Sequence, residues 1–113
     1  MADSTKFLEV VKAGYTFKGE AFKIGCAMLD GHVVTGADVL LPFKTLNRHG
    51  LIAGATGTGK TKTLQVLAEG LSDASIPVLM MDIKGDLSGI AAAGTVNDKI
   101  AERCQKLTIE YKP

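Results

Sequence analysis

One eight-residue stretch restricts the folds open to this chain more than anything else in its 113 residues. Gly54-Ala55-Thr56-Gly57-Thr58-Gly59-Lys60-Thr61 has the spacing G-x-x-x-x-G-K-[ST], which makes physical sense where a strand feeds a tight loop and the loop opens a helix. The flanks suit that context. Gly50-Leu51-Ile52-Ala53 can be a short buried strand, and behind the loop Leu64, Leu67, Ala68 and Leu71 recur at helical spacing, as on a helix facing a sheet.

The residue types explain what such a loop can hold. Glycines at 54, 57 and 59 free the backbone for φ values that side chains forbid, so successive amide N–H groups can converge on a phosphate. A helix starting near Gly59 adds unpaired N–H groups and the positive end of its dipole. Lys60 can then reach β- and γ-phosphates as a point charge, and the Thr61 hydroxyl can take one Mg²⁺ position. The expected nucleotide-binding set is Gly54, Ala55, Thr56, Gly57, Thr58, Gly59, Lys60, Thr61 and Lys62, with Thr61 the metal ligand and Lys60 and Asp82 the catalytic candidates. Lys62 and Lys84 are weighed against the commoner fate of lysines, which is solvation. His49 reads as packing at the strand start, and Arg48 is the one arginine near the loop. No motif for reading the base is visible.

Pro77-Val78-Leu79-Met80-Met81 is a continuous apolar run of the kind that suits a parallel strand buried on both faces. Strand, helix and strand would make a right-handed βαβ unit with its chemistry at the carboxyl ends of the strands. Asp82 ends the run, and three roles are open to it. It can hold the Mg²⁺ shell as the acid of a Walker B strand, it can belong to a separate acidic turn, Asp82-Ile83-Lys84-Gly85-Asp86, beside the nucleotide, or it can cap its own turn. Asp82-Ile83-Lys84-Gly85 also fits the D-x-x-G of GTP-binding switch proteins. No N-K-x-D accompanies it, and little room is left for a switch loop.

Elsewhere Ser4 is expected to cap a helix bearing Phe7, Val10 and Val11 on one face and stopped by Gly14. Phe22 to Leu29 and His32-Val33-Val34 flank Asp30-Gly31, a strong hairpin signal, and a further strand is expected at Val39-Leu40-Leu41, closed by Pro42. Thr95-Val96-Asn97-Asp98 resembles a capping box for a helix whose face carries Val96, Ile100, Cys104 and Leu107, and Thr108 to Tyr111 can start another strand. Residues 1–45 thus read as a helix and a small β-rich lobe, and residues 46–113 as the beginning of an α/β nucleotide-binding core.

With 13 basic and 12 acidic residues the charge is nearly balanced, so composition offers no basic surface for nucleic acid. Cys26 and Cys104 fit no metal or redox spacing and read as free thiols in a reducing compartment. No leader-like or membrane-spanning run is present, and the expectation is a soluble cytoplasmic protein with no membrane partner.

The stretch Asn47 to Thr61, then Leu64 to Glu69, then Asp82-Ile83-Lys84-Gly85-Asp86-Leu87-Ser88-Gly89 resembles the HerA/FtsK superfamily of P-loop ATPases, and most nearly its bacterial HerA-like predicted helicases. The resemblance covers roughly residues 36–95. It implies a RecA-like fold, ATP with Mg²⁺, and for the full-length protein a hexameric ring acting on DNA. It carries over to the loop from Gly54 to Thr61 and to Asp82 with its turn. The acid, glutamate and arginine finger of that superfamily have no counterpart here, which favours Asp82 as the end of the strand after the loop helix. The chain accordingly reads as the N-terminal part of a longer protein, with little turnover on its own. A DNA-dependent ATPase motor module is the first functional expectation, a non-catalytic nucleotide-binding or assembly module the second, and a phosphotransferase the third.

Overall fold

Asp30 and Gly31 turn the chain with φ of 50° and 78°, the pair of positive values that a type I′ hairpin turn requires. On either side run β1 (Ala21–Leu29) and β2 (His32–Pro42), paired antiparallel from Leu29↔His32 to Ala21↔Pro42. This structure, a computed structural model, describes residues 3–113. The expected third strand at Val39-Leu40-Leu41 is the continuation of β2. Between the pairs Cys26↔Asp38 and Met28↔Val33, residues 34–37 stand opposite Ala27 alone. Gly36, at φ 81°, lets that bulge form without ending the strand.

The bulge is where the first helix docks. Over Gly36 lie Leu8 and Lys12 of α1 (Ser4–Gly14), and the neighbouring Ala37 is completely buried. The cap of α1 is Asp3, not Ser4: its carboxylate accepts from the Thr5 and Lys6 amides at 3.0 and 3.3 Å. A carboxylate satisfies two of the unpaired first-turn amides and meets the helix dipole favourably, which Ser4 inside the helix cannot do.

A short 3₁₀ turn, Phe43–Thr45, follows β2 and stacks Phe43 on Phe22 of β1, with ring centroids 5.2 Å apart and 26° between planes. Against the Phe22 ring of this pair sits Gly70 of α2 (Lys60–Asp73). Ala68 of α2 is buried, with Leu67 and Leu71 half-buried beside it. The helix ends with Ser75 at φ 60° and Ile76 N–H donating to the Leu71 carbonyl at 2.9 Å, a Schellman closure. The last helix, α3 (Asp98–Leu107), is capped by Asn97, whose side chain accepts from Ile100 N–H at 2.9 Å.

Several sequence expectations are corrected here. The described residues contain a two-stranded antiparallel sheet and three α-helices, an α/β arrangement without a parallel pair. Residues 50–53 and 77–81 form no strand, and Leu51, Leu79 and Met81 are 89%, 92% and 87% exposed. Apolar content specifies burial but not the ladder partner that makes a strand, and neither run has one among the described residues. Asn97, not Thr95, caps α3, so Val96 lies outside the helix and is exposed while Ile100, Cys104 and Leu107 share its half-buried face. Thr108 starts no strand because it closes α3 in the left-handed conformation at φ 53°.

Candidate functional site

The glycines of the loop do different jobs. Gly57 and Gly59 have φ of 80° and 97°, where a side chain would strain the backbone. Gly54 does not lie in that region, so its smallness has another cause: a Cβ there would meet the Thr58 hydroxyl at 2.6 Å. Gly59 is the N-cap of α2, and no side chain caps the helix. The first-turn amides of Lys60, Thr61 and Lys62 therefore lack both an intrahelical acceptor and a capping oxygen. Such a terminus attracts an anion.

The side chains are arranged around one carbonyl. Ala55 O accepts from Thr58 Oγ at 2.7 Å and from Lys60 Nζ at 2.8 Å, with the Thr58 amide more distant at 3.4 Å. Lys60 is thus folded back across the loop. Thr56 is exposed, Thr61 is half-buried at the start of α2, and Lys62 is directed along its own helix to Gln65 Oε1 at 2.8 Å. Arg48 and His49 are exposed ahead of the loop.

Thr61 shares an open cleft of about 210 Å³ with the acidic turn, its other lining including Leu64, Asp82, Lys84, Asp86 and Leu87. The structure therefore brings the start of the loop helix and the 82–86 turn to one cleft. Asp82 itself organises the turn. One carboxylate oxygen accepts from the amides of Lys84 (3.2 Å) and Gly85 (2.9 Å), and the other accepts from the Leu87 amide at 2.8 Å. These donors, Leu87 N–H foremost, hold its pKa below the ordinary aspartate value, against an opposing desolvation effect that is second in size to the Leu87 bond. Leu87, fastened in this way, is one of the few buried residues. Asp86 lines the same cleft and pairs with no cation among the described residues. Sequence reasoning named it only as part of the turn, although an acid four residues after Asp82 was the available signal.

Away from this region, Lys23 and Asp38 form an ion pair at 2.6 Å, which raises the Lys23 pKa, with a smaller contribution from Cys26. Cys26 and Cys104 are free thiols, and among the described residues no cluster of His, Cys, Asp and Glu could hold a metal. Among the described residues no helix is long and apolar enough to cross a membrane.

The start of α2 is thus an uncapped, glycine-opened helix terminus that carries a lysine and a threonine and lies beside an acidic turn. The chain belongs to the family described as Helicase HerA-like C-terminal, which matches residues 29–113, from the hairpin turn through the loop, the acidic turn and α3. Membership relates it to helicases and ATPases, a family that in general uses nucleotide and Mg²⁺. No curated protein and no solved structure matches the chain.

Proposed function

We propose that this chain is the ATP-binding part of a HerA-like motor, a DNA-dependent ATPase of the helicase type that works as a cytoplasmic homo-oligomeric ring, hexameric as the resemblance implies, with residues 46–113 the start of its RecA-like core. The observation that carries the reading is the uncapped start of α2, with Lys60 and Thr61 on it and the Asp82 turn across the cleft. The loop from Gly54 to Gly59 and the amides of Lys60, Thr61 and Lys62 would hold the phosphates. Mg²⁺, taken by the Thr61 hydroxyl, would neutralise charge between phosphate oxygens. Lys60 would exchange the Ala55 carbonyl for a phosphate oxygen. Adenine as the base follows from the family alone.

The test is calorimetric titration with Mg·ATP and Mg·GTP, with Lys60→Ala as control. ATP should bind more tightly than GTP, and removal of a charge-assisted hydrogen bond should weaken ATP binding by roughly tenfold to a hundredfold. A folded protein that binds neither nucleotide, or a Lys60→Ala variant with unchanged affinity, would refute the proposal. Hydrolysis measured with and without DNA then tests the motor.

A second reading, nucleotide binding without turnover by this chain, is favoured by one feature. Both oxygens of Asp82 are engaged by backbone amides, which suits a turn-forming role better than the orientation of a water. ATP binding with no hydrolysis in the presence of DNA selects it.

A further inference from the structure

We propose that Thr58 is the positioning residue of the loop and that position 54 is glycine in order to admit its hydroxyl. The phosphate-binding half of this inference rests on the function proposed above; the steric half does not.

The turn from Ala55 to Thr58 is closed by a side chain. The backbone bond across it is long, 3.4 Å from Thr58 N to Ala55 O, whereas the Thr58 hydroxyl donates to the same oxygen at 2.7 Å. That oxygen is also the acceptor that holds Lys60 Nζ at 2.8 Å. A carbonyl has two lone pairs, and here the two short bonds come from Thr58 and Lys60. The Thr58 hydroxyl therefore fixes the direction of the carbonyl from which the lysine starts.

Gly54 completes the device. Its φ is open to any residue, and a Cβ placed there would lie 3.6 Å from Thr58 Cβ and from Lys60 Cγ, ordinary contact distances. Only the Thr58 hydroxyl, at 2.6 Å, forbids it. Threonine is stiff at χ1, so relief requires the side chain to rotate, and rotation breaks the bond to Ala55 O. Gly54→Ala and Thr58→Ala are thus one lesion reached from two sides. Each releases the Ala55 carbonyl and opens the turn that it closes, so that the loop amides are no longer held ready for phosphate before ATP arrives.

The experiment is a set of cycles on the full 113-residue chain, read by calorimetric titration with Mg·ATP and by thermal unfolding. Loss of a single hydrogen bond should make Thr58→Ala bind ATP about three- to tenfold more weakly, Thr58→Ser should restore wild-type affinity, and Gly54→Ala should match Thr58→Ala. The double variant Gly54→Ala/Thr58→Ala should be no worse than either single one. In a Lys60→Ala background, Thr58→Ala should weaken binding by the same factor, because the turn it closes orients the loop amides and not the lysine. Losses that multiply in the Gly54/Thr58 cycle, a Thr58→Ala effect that vanishes in the Lys60→Ala background, or a Thr58→Ser variant as weak as Thr58→Ala, overturn the inference. If the wild-type chain binds no ATP, the proposed function fails. The steric half is then decided by thermal midpoints: Gly54→Ala lowers the midpoint of the wild type and leaves that of Thr58→Ala unchanged if it is correct, and lowers both equally if it is wrong.

Discussion

Replacing Gly70 by alanine sets two known effects against each other at one atom. Gly70 lies inside α2 at an ordinary helical φ, where alanine is favoured by about 0.8–1 kcal/mol on propensity alone. A Cβ there, however, would lie 2.6 Å from Phe22 Cε2 and 3.1 Å from Phe22 Cγ. The ring cannot withdraw freely because it is stacked on Phe43 at 5.2 Å. Over-packing of this kind costs about 1–3 kcal/mol, and disturbing the stacked pair adds about 0.5–1.5 kcal/mol. The two costs exceed the gain, so Gly70→Ala should destabilise the protein by roughly 0.5–4 kcal/mol. With Phe22 cut back to alanine the colliding ring atoms are gone, and the same substitution should become stabilising by about 1 kcal/mol. The chain has no tryptophan, so urea unfolding followed by far-ultraviolet circular dichroism is the suitable assay. A Gly70→Ala variant that is more stable in both backgrounds would mean that α2 does not rest on the hairpin through Phe22.

The other tests are local. Thr108 closes α3 as a β-branched residue in the left-handed region, which costs about 1–2 kcal/mol, so Thr108→Gly should raise stability by about 1 kcal/mol, measured by the same unfolding assay. Asp82, held below the ordinary aspartate value by Leu87 N–H first of all, should steady its turn fully above that ordinary value and lose the effect as pH falls through the lower folded value. The Leu87 amide proton shift, followed by NMR, should titrate below the ordinary aspartate range and should not titrate there in Asp82→Asn; titration at the ordinary value would refute the assignment.

What could be read in the sequence was whatever depends on neighbours along the chain. Asp30-Gly31 announces its turn because both residues tolerate positive φ, and the helix behind the loop follows from Leu64, Leu67, Ala68 and Leu71 at helical spacing, although Leu64 is exposed. The loop and the D-x-K-G-D-L turn were likewise visible as strings, and Thr61, the last residue of the loop motif, shares a cleft with the turn. Pairing was not legible. Pro77 to Met81 has the composition of a buried strand, yet a ladder is made with a partner distant in sequence, and none lies beside it among the described residues. The caps were misplaced by one or two residues, since Asp3 competes with Ser4 and Asn97 with Thr95 for the same amides and the difference is one of geometry. The division of labour among the glycines was also hidden. Sequence treats 54, 57 and 59 alike, whereas two answer to φ and the third to a neighbouring hydroxyl.

α2 joins the two halves of the molecule, and this bears on what the Gly70 experiment can say about function. Its first residue, Lys60, carries the loop, while Gly70, ten positions on, rests against Phe22, which stacks on Phe43. At about 1.5 Å per residue these points are roughly 15 Å apart along the helix axis. At that separation, with no shared partner, perturbations should add independently. Gly70→Ala should therefore lower the unfolding midpoint and leave the affinity for Mg·ATP unchanged, whereas Thr58→Ala should do mainly the reverse. If weakening the Phe22 seat instead loosens nucleotide binding as much as a change in the loop does, α2 is not a passive support. The hairpin would then belong to the binding site in energetic terms, even though none of its residues reaches the cleft that Thr61 shares with the Asp82 turn.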